Sequence, residues 1–310
     1  MDGFPLSLAP ETTTWRQRTL KAPIGCVGVG LHSGKRVSLT LRPANPDQGI
    51  IFRRTDLGLD IPARFDHVLD TRLATVLGLP KNPVARVATV EHVMAALAGS
   101  GIDNAIVELD GPETPILDGS AAPFLFLVDC AGWADQETLR SVIEIRRTVR
   151  VTDGDAFAEL RPANPGMHGL DMALSIDFSA AAIGRQALSL RLTPDSFRQD
   201  LAPARTFALA EEVAQLQAAG LALGGSLDNA IVVDQARVLN PTGLRMPDEF
   251  ARHKLLDAVG DLALAGAPLR GRFVAHRSGH ALNNRLLRAL FADNAAWREV
   301  TAEPLSVAAA

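Results

Sequence analysis

The chain has 310 residues, 47% of them hydrophobic and 21% charged, with a formal net charge of -4, an isoelectric point near 6.0 and a mean hydropathy of +0.11. That is length and apolar content for two domains of ordinary size, each with its own core, and the acidic balance excludes a general nucleic-acid binder. Two cysteines, Cys26 and Cys130, exclude a disulfide framework and a Cys-rich metal site, and suit a reducing compartment.

Residues 1–14 contain Pro5, Pro10 and three consecutive threonines without periodicity, and are read as a flexible leader. They lack the apolar core of a signal peptide, and no run in the chain approaches the roughly 18 apolar residues that span a bilayer. A cytoplasmic protein without stable membrane insertion is expected, and it is read as a monomer. Next comes Gly28-Val-Gly-Leu-His-Ser-Gly34. It is a weak phosphate signal, because no Lys-Ser/Thr follows as in a P-loop. It reads as a turn that places His32 near a site, as an additional metal contact.

An internal repeat organises the rest of the chain. Leu41-Arg-Pro-Ala-Asn-Pro46 recurs as Leu160-Arg-Pro-Ala-Asn-Pro165. Each copy follows a strand-like alternation, at 36–41 and 156–160, and precedes a second strand, at 49–53 and 170–176. Both prolines fix φ and neither donates to a ladder, so the motif is a turn and the unit reads as a hairpin. Each half then has a helix ending in Ala-Leu-Ala-Gly, at 96–99 and 263–266, with glycine as the stop, and a strand at 105–109 or 271–275. The shared order predicts an α+β fold of two similar domains, each a sheet packed with helices, over 15–135 and 136–310.

Thr89-Val-Glu91-His92 stands at the first helix start, with Thr89 as its expected N-cap. Asp110, Glu113 and Asp118 read as turn and cap residues, since their spacing fits no EF-hand. The second helix, about 247–265, opens on Pro247, Asp248 and Glu249, which suit a first turn. His253 and Asp257, four apart, share one face, and Asp261 lies a further turn along it. That is how a helix offers two ligands to one ion, although the same pair is often merely exposed. His92 would complete a His2Asp set and leave a fourth position for water, as a catalytic zinc site requires. Glu91 beside it would accept that water's proton, unless Glu91 and His92 are only a solvated helix end. Lys254 faces about 100° away from His253 and suits a substrate phosphate better than the metal. His280, behind Gly279 after a strand, is either a surface histidine or an acid projecting into the site.

These segments, with Asp118-Gly-Ser-Ala-Ala-Pro-Phe124, Ala204-Arg-Thr-Phe207, Gly224-Gly-Ser226, Arg252-His-Lys-Leu-Leu-Asp257 and Ser278-Gly-His-Ala-Leu-Asn-Asn284, resemble the UDP-3-O-acyl-N-acetylglucosamine deacetylases, in order and over nearly the whole chain. That family carries out the committed step of lipid A synthesis in Gram-negative bacteria. The resemblance implies two domains packed face to face around a Zn2+ ion held by His92, His253 and Asp257. It also implies Glu91 as general base, His280 as acid and charge stabiliser, Asp261 orienting His280, and Thr206 beside the reacting oxygen. Lys254, Phe207 and Arg277 fall on substrate-contacting positions. Ala210, Val213, Leu227 and Val232 fall on a hydrophobic acyl passage in an insert of the second domain. The implied partner is the UDP-sugar substrate alone. Ala88, Glu212 and Arg277 stand where serine, aspartate and lysine are common, and small Ala210 leaves the passage shape open. Two rivals remain: a binding protein with a closed, structural zinc, and an amidohydrolase for another acylated amine.

Overall fold

The computed structural model describes residues 15–302; the leader at 1–14 and the tail after 302 lie outside the described residues. In chain order the first half comprises β1 (Arg16–Leu20), β2 (Ile24–Val29), β3 (Arg36–Pro43), β4 (Ile50–Arg54), β5 (Leu59–Pro62), β6 (Val68–Asp70), β7 (Val76–Leu79), β8 (Asn82–Val87), α1 (Glu91–Gly99), β9 (Ala105–Leu109), α2 (Ala122–Ala131) and β10 (Trp133–Leu139). The second half comprises β11 (Ser141–Ile145), β12 (Val149–Asp153), β13 (Ala156–Arg161), β14 (Leu170–Asp177), β15 (Arg185–Leu192), a one-turn α3 (Pro194–Ser196), β16 (Phe207–Leu209), α4 (Ala210–Ala218), β17 (Ile231–Asp234), β18 (Arg237–Val238), α5 (Glu249–Ala263), β19 (Leu269–His276), α6 (His280–Ala292) and β20 (Trp297–Thr301). The architecture is α+β.

Alternation decides which faces are buried. Val37, Leu39 and Leu41 of β3 are buried between more exposed polar neighbours, and Phe273 and Ala275 of β19 likewise alternate with the more exposed Arg272, Val274 and His276. The first sheet runs β2-β3-β9-β4-β5; in the second, β19 lies between β13 and β14, with β15 beyond β14 and β12 beyond β13. The expected hairpins do not form. In each half the strand that follows α1 or α5 enters between the two that flank the Pro-Ala-Asn-Pro turn, antiparallel to the first and parallel to the second, as β9 between β3 and β4 and β19 between β13 and β14. The connection 44–49 is long enough to step over one strand position, about 10 Å across two strand spacings, which a two-residue hairpin turn is not. The parallel partner then requires a crossover, and α1 and α5 lie on those two crossovers.

Both helices are buried nearly all round, α1 except at Ala98 and α5 except at Arg252, Lys254 and Ala263. Such a helix belongs to the core rather than to its surface. They pack on each other closely, because Gly260 of α5 lies against α1: a Cβ there would come 2.0 Å from the Glu91 carbonyl oxygen. Two expected boundaries shift. Asp248 is left-handed (φ 54°), so α5 starts at Glu249 and Pro247 stands outside it. α1 continues through Gly99, and its left-handed exit is at Gly101 (φ 72°). No helix among the described residues is long and apolar enough to cross a membrane.

Candidate metal centre

Six ionisable side chains of α1 and α5 are buried: Glu249, which pairs with Arg205, and the cluster Glu91, His92, His253, Asp257 and Asp261. Charge in such a setting is costly unless it is paired or holds an ion. His92, His253 and Asp257 each bring a ligand atom to within 4.8 Å of the other two. Asp257 Oδ1 lies 3.6 Å from His92 Nε2 and 3.3 Å from His253 Nε2, and it is buried without a hydrogen-bond partner. A carboxylate oxygen so deep normally has a donor. Two imidazole nitrogens and one carboxylate oxygen converging on one point form a donor set that fits zinc with a position left open.

Neighbouring groups prepare these ligands. His253 Nδ1 lies 3.0 Å from the Ala204 carbonyl oxygen, which takes its N–H and turns Nε2 toward Asp257. Burial holds the His253 imidazole down at about 4 against the pull of Asp257, so at neutral pH the ring is neutral and its Nε2 carries no proton. Asp257 sits well below the usual carboxylate range: burial opposes its charge, but His253 and Lys254 prevail. Lys254 does not point away as the helical angle suggested. Its Nζ donates to Asp257 Oδ2 at 3.0 Å, the long side chain curling one turn forward onto the ligand's second oxygen.

Glu91 stands next to this cluster. Burial pushes its carboxyl up, with His280 and His92 working against the shift. Its Oε2 accepts the Thr75 backbone N–H at 3.0 Å, and its Oε1 lies 3.8 Å from His280 Nε2. His280 is the first residue of α6, where the helix dipole disfavours a cation. Asp261 reverses that preference: its Oδ2 accepts from His280 Nδ1 at 2.9 Å. Burial opposes the imidazolium, yet Asp261 and Glu91 lift His280 to about 9. Asp261 also accepts from the Thr75 hydroxyl at 2.6 Å and from Asn283 Nδ2 at 2.9 Å. Sequence reasoning assigned no role to Thr75 or Asn283. Asn283 lies inside a motif shared with the family, whereas nothing around Thr75 marks it.

The approach to α1 differs from expectation. Thr89 does not cap the helix; Val90 occupies the cap position, and Thr89 is left-handed (φ 60°). Its hydroxyl donates to Glu113 Oε1 at 3.3 Å, and Glu113 also accepts the backbone N–H groups of His32 and Ser33 at 2.7 and 2.9 Å. Glu113 is thus a turn residue, like Asp110, which takes the Ser38 N–H, and Asp118, which takes Ser120. His32 does not join the ligand cluster; both its ring nitrogens are buried without a hydrogen-bond partner. The loop it belongs to is instead an anchor for 223–224, since Gly224 N–H donates to the Leu31 carbonyl at 2.9 Å.

Thr206 and Phe207 follow Ala204, the residue that holds His253. Thr206 N–H donates to the Gly119 carbonyl at 2.8 Å, and the Phe207 ring lies 6.3 Å from that of His253. Lys254 Nζ is 5.9 Å from the Phe207 ring centre. β16 and β17 pair in parallel with α4 between them in sequence, a βαβ unit carrying Ala210, Val213 and Val232. None of the α4 residues is buried, and Leu227 in the loop before β17 is exposed. Arg277, left-handed at φ 52°, is exposed just beyond β19, three residues before His280.

The sequence model of the UDP-3-O-acyl N-acetylglycosamine deacetylases matches residues 17–292. The chain belongs to this family. Among similar members, the UDP-3-O-acyl-N-acetylglucosamine deacetylase of Anaeromyxobacter sp. is 51% identical over 288 residues, 93% of this chain and 92% of its own length. Those of Myxococcus xanthus and Haemophilus influenzae are 50% and 49% identical over 292 residues each, covering 94% and 93% of this chain and 91% and 94% of their own lengths.

Proposed function

We propose that the chain hydrolyses the N-acetyl group of UDP-3-O-acyl-N-acetylglucosamine to acetate and the free amine, with zinc held by His92, His253 and Asp257. The observation that carries this reading is the orphaned Asp257 Oδ1 between two imidazole Nε2 atoms, with Glu91 and His280 beside it. When bound, zinc supplies the positive charge that polarises the amide carbonyl and makes water a better nucleophile. The buried Glu91 carboxylate, made more basic by its burial, takes the proton of the water that attacks the carbonyl carbon. His280, charged through Asp261, gives a proton to the nitrogen as the C–N bond breaks, so the product leaves as an amine. Thr206 stabilises charge developing on the carbonyl oxygen. Lys254 and Arg277 meet the substrate's phosphates and Phe207 its sugar. Ala210, Val213, Leu227 and Val232 line the passage for the acyl chain, which the partly exposed α4 supports.

The repeated strand order supports two domains, over 15–135 and 136–310, that meet where α1 packs on α5. The same reading makes the chain a cytoplasmic monomer acting at the committed step of lipid A synthesis. One experiment tests the core of it. Metal content is measured in the purified protein, and acetate release is followed from the UDP-sugar with and without its 3-O-acyl chain, before and after chelation. One zinc per chain and chelation-sensitive release that requires the acyl chain are expected. Full activity in metal-free protein would overturn the reading.

A further inference from the structure

Thr75, immediately before β7, is 1% exposed and bonds both Glu91 and Asp261, the residue that holds His280. Its backbone N–H donates to Glu91 Oε2 at 3.0 Å, and its carbonyl accepts the Val90 N–H at 3.3 Å. Its hydroxyl donates to Asp261 Oδ1 at 2.6 Å. The other oxygen of Asp261 is taken by His280 and Asn283. We propose that Thr75 is a positioning residue, which fixes the proton acceptor Glu91 and the proton donor His280 relative to each other through a single rigid peptide unit and one hydroxyl. This rests on the proposed roles of Glu91 as base and His280 as acid.

Glu91 and Asp261 are both carboxylates, buried and mutually repelling, on two different helices. Each leans on the same residue, one through its main chain and the other through its side chain, so neither turns without disturbing the other. A β-branched threonine has few rotamers, which suits a strut better than a longer donor. Without the hydroxyl, Asp261 keeps its two donors on Oδ2 only, and the carboxylate is free to rotate about them, carrying His280 off its line to Glu91. A displacement of about 1 Å in such a pair costs turnover on the order of 100-fold.

The test uses the full-length, zinc-loaded protein and the variants Thr75→Val, Thr75→Ala, Thr75→Ser, Asp261→Asn and Glu91→Gln. Thr75→Val keeps volume and both main-chain bonds; its kcat is expected to fall about 10- to 100-fold with KM within about twofold and zinc content unchanged. Thr75→Ala reads the same loss if the valine packs badly, and Thr75→Ser, which restores the hydroxyl, is expected to stay within about threefold of the parent. Adding Thr75→Val to Asp261→Asn should cost under about twofold more, because the hydroxyl acts through that carboxylate. Normal kcat in Thr75→Val, a serine variant as slow as the valine one, or fully additive losses in the double variant would each overturn the proposal. Glu91→Gln separates the two levels. If it turns over normally, the assignment of the base is wrong; if it is dead while Thr75→Val is normal, only the role of Thr75 is.

Discussion

His280 Nδ1 lies 2.9 Å from Asp261 Oδ2, at the N-terminus of a helix whose dipole would by itself expel a proton from the ring. The carboxylate wins because Asp261 is buried and in direct contact with a largely covered ring, whereas the dipole of a helix end is worth a fraction of a kcal/mol to roughly 2 kcal/mol.

In the metal-free protein His280 is therefore expected to titrate at about 9 rather than near the ordinary value of about 6.5. A folded value above the unfolded one fixes the sign. The stabilisation is complete below pH of about 6.5 and is lost as the pH rises through about 9. In the working enzyme, turnover falls on the alkaline side as the imidazolium is lost, and Asp261→Asn should move that limb to lower pH. NMR titration of the His280 ring checks the first statement and a pH–rate profile the second; a ring that titrates at or below the ordinary value would refute both.

The three converging ligand atoms predict different behaviour for residues on the two facing helices. His253→Ala removes a proposed ligand whose ring is already neutral, and bound zinc should vanish together with activity. Glu91→Gln removes the proposed base and none of the three converging ligand atoms. It should retain one zinc while turnover drops about 10²- to 10⁴-fold. Elemental analysis beside single-turnover rates distinguishes them, and a His253→Ala protein with full zinc would mean that the ligand set is wrong.

Glu249 is fully buried and pairs with Arg205, itself 4% exposed, whose preceding carbonyl holds His253. Glu249→Ala leaves a guanidinium without its anion in the interior, a loss of about 3–5 kcal/mol. As Arg205 moves, the Ala204 carbonyl moves from His253 Nδ1, and zinc affinity should weaken about 10- to 100-fold. Denaturant unfolding and zinc competition measure the two effects. Zinc affinity unchanged in a destabilised variant would show that the Ala204 carbonyl does not depend on the pair.

The readable parts of this molecule were those written in local pattern. Alternation at 36–41 gave the β3 strand, the repeated Pro-Ala-Asn-Pro turn gave the duplicated strand order, and i, i+4 spacing put His253 and Asp257 on one face. What the pattern could not give was pairing. β9 and β19 enter between strands that are adjacent in sequence, because parallel pairing is settled by distant hydrogen bonds and not by any turn residue. The same limit applies at the site. Thr75 works partly through its main chain, and Ala204 entirely so, and a backbone donor or acceptor has no residue type to betray it. Lys254 and Thr89 were misplaced for a related reason: helical angle and capping preference describe an isolated helix, whereas Asp257 and Glu113 draw these side chains elsewhere.

Gly260 sets two small effects in opposition. In an isolated helix Gly→Ala gains about 1 kcal/mol from backbone entropy. Here the new Cβ would stand 2.0 Å from the Glu91 carbonyl, a backbone atom that cannot swing aside. Overpacking of that kind costs about 1–3 kcal/mol, so Gly260→Ala should be net destabilising or at best neutral. The larger consequence is geometric, since α1 carries Glu91 and His92 while α5 carries His253, Asp257 and Asp261. Forcing the helices apart separates the ligands along the line on which they converge, and both zinc affinity and kcat should fall more than about tenfold even where stability changes little. Thermal unfolding, zinc competition and steady-state kinetics on one preparation read all three. A Gly260→Ala protein that is more stable and fully active would show that the helix contact has slack and that the metal centre does not depend on it.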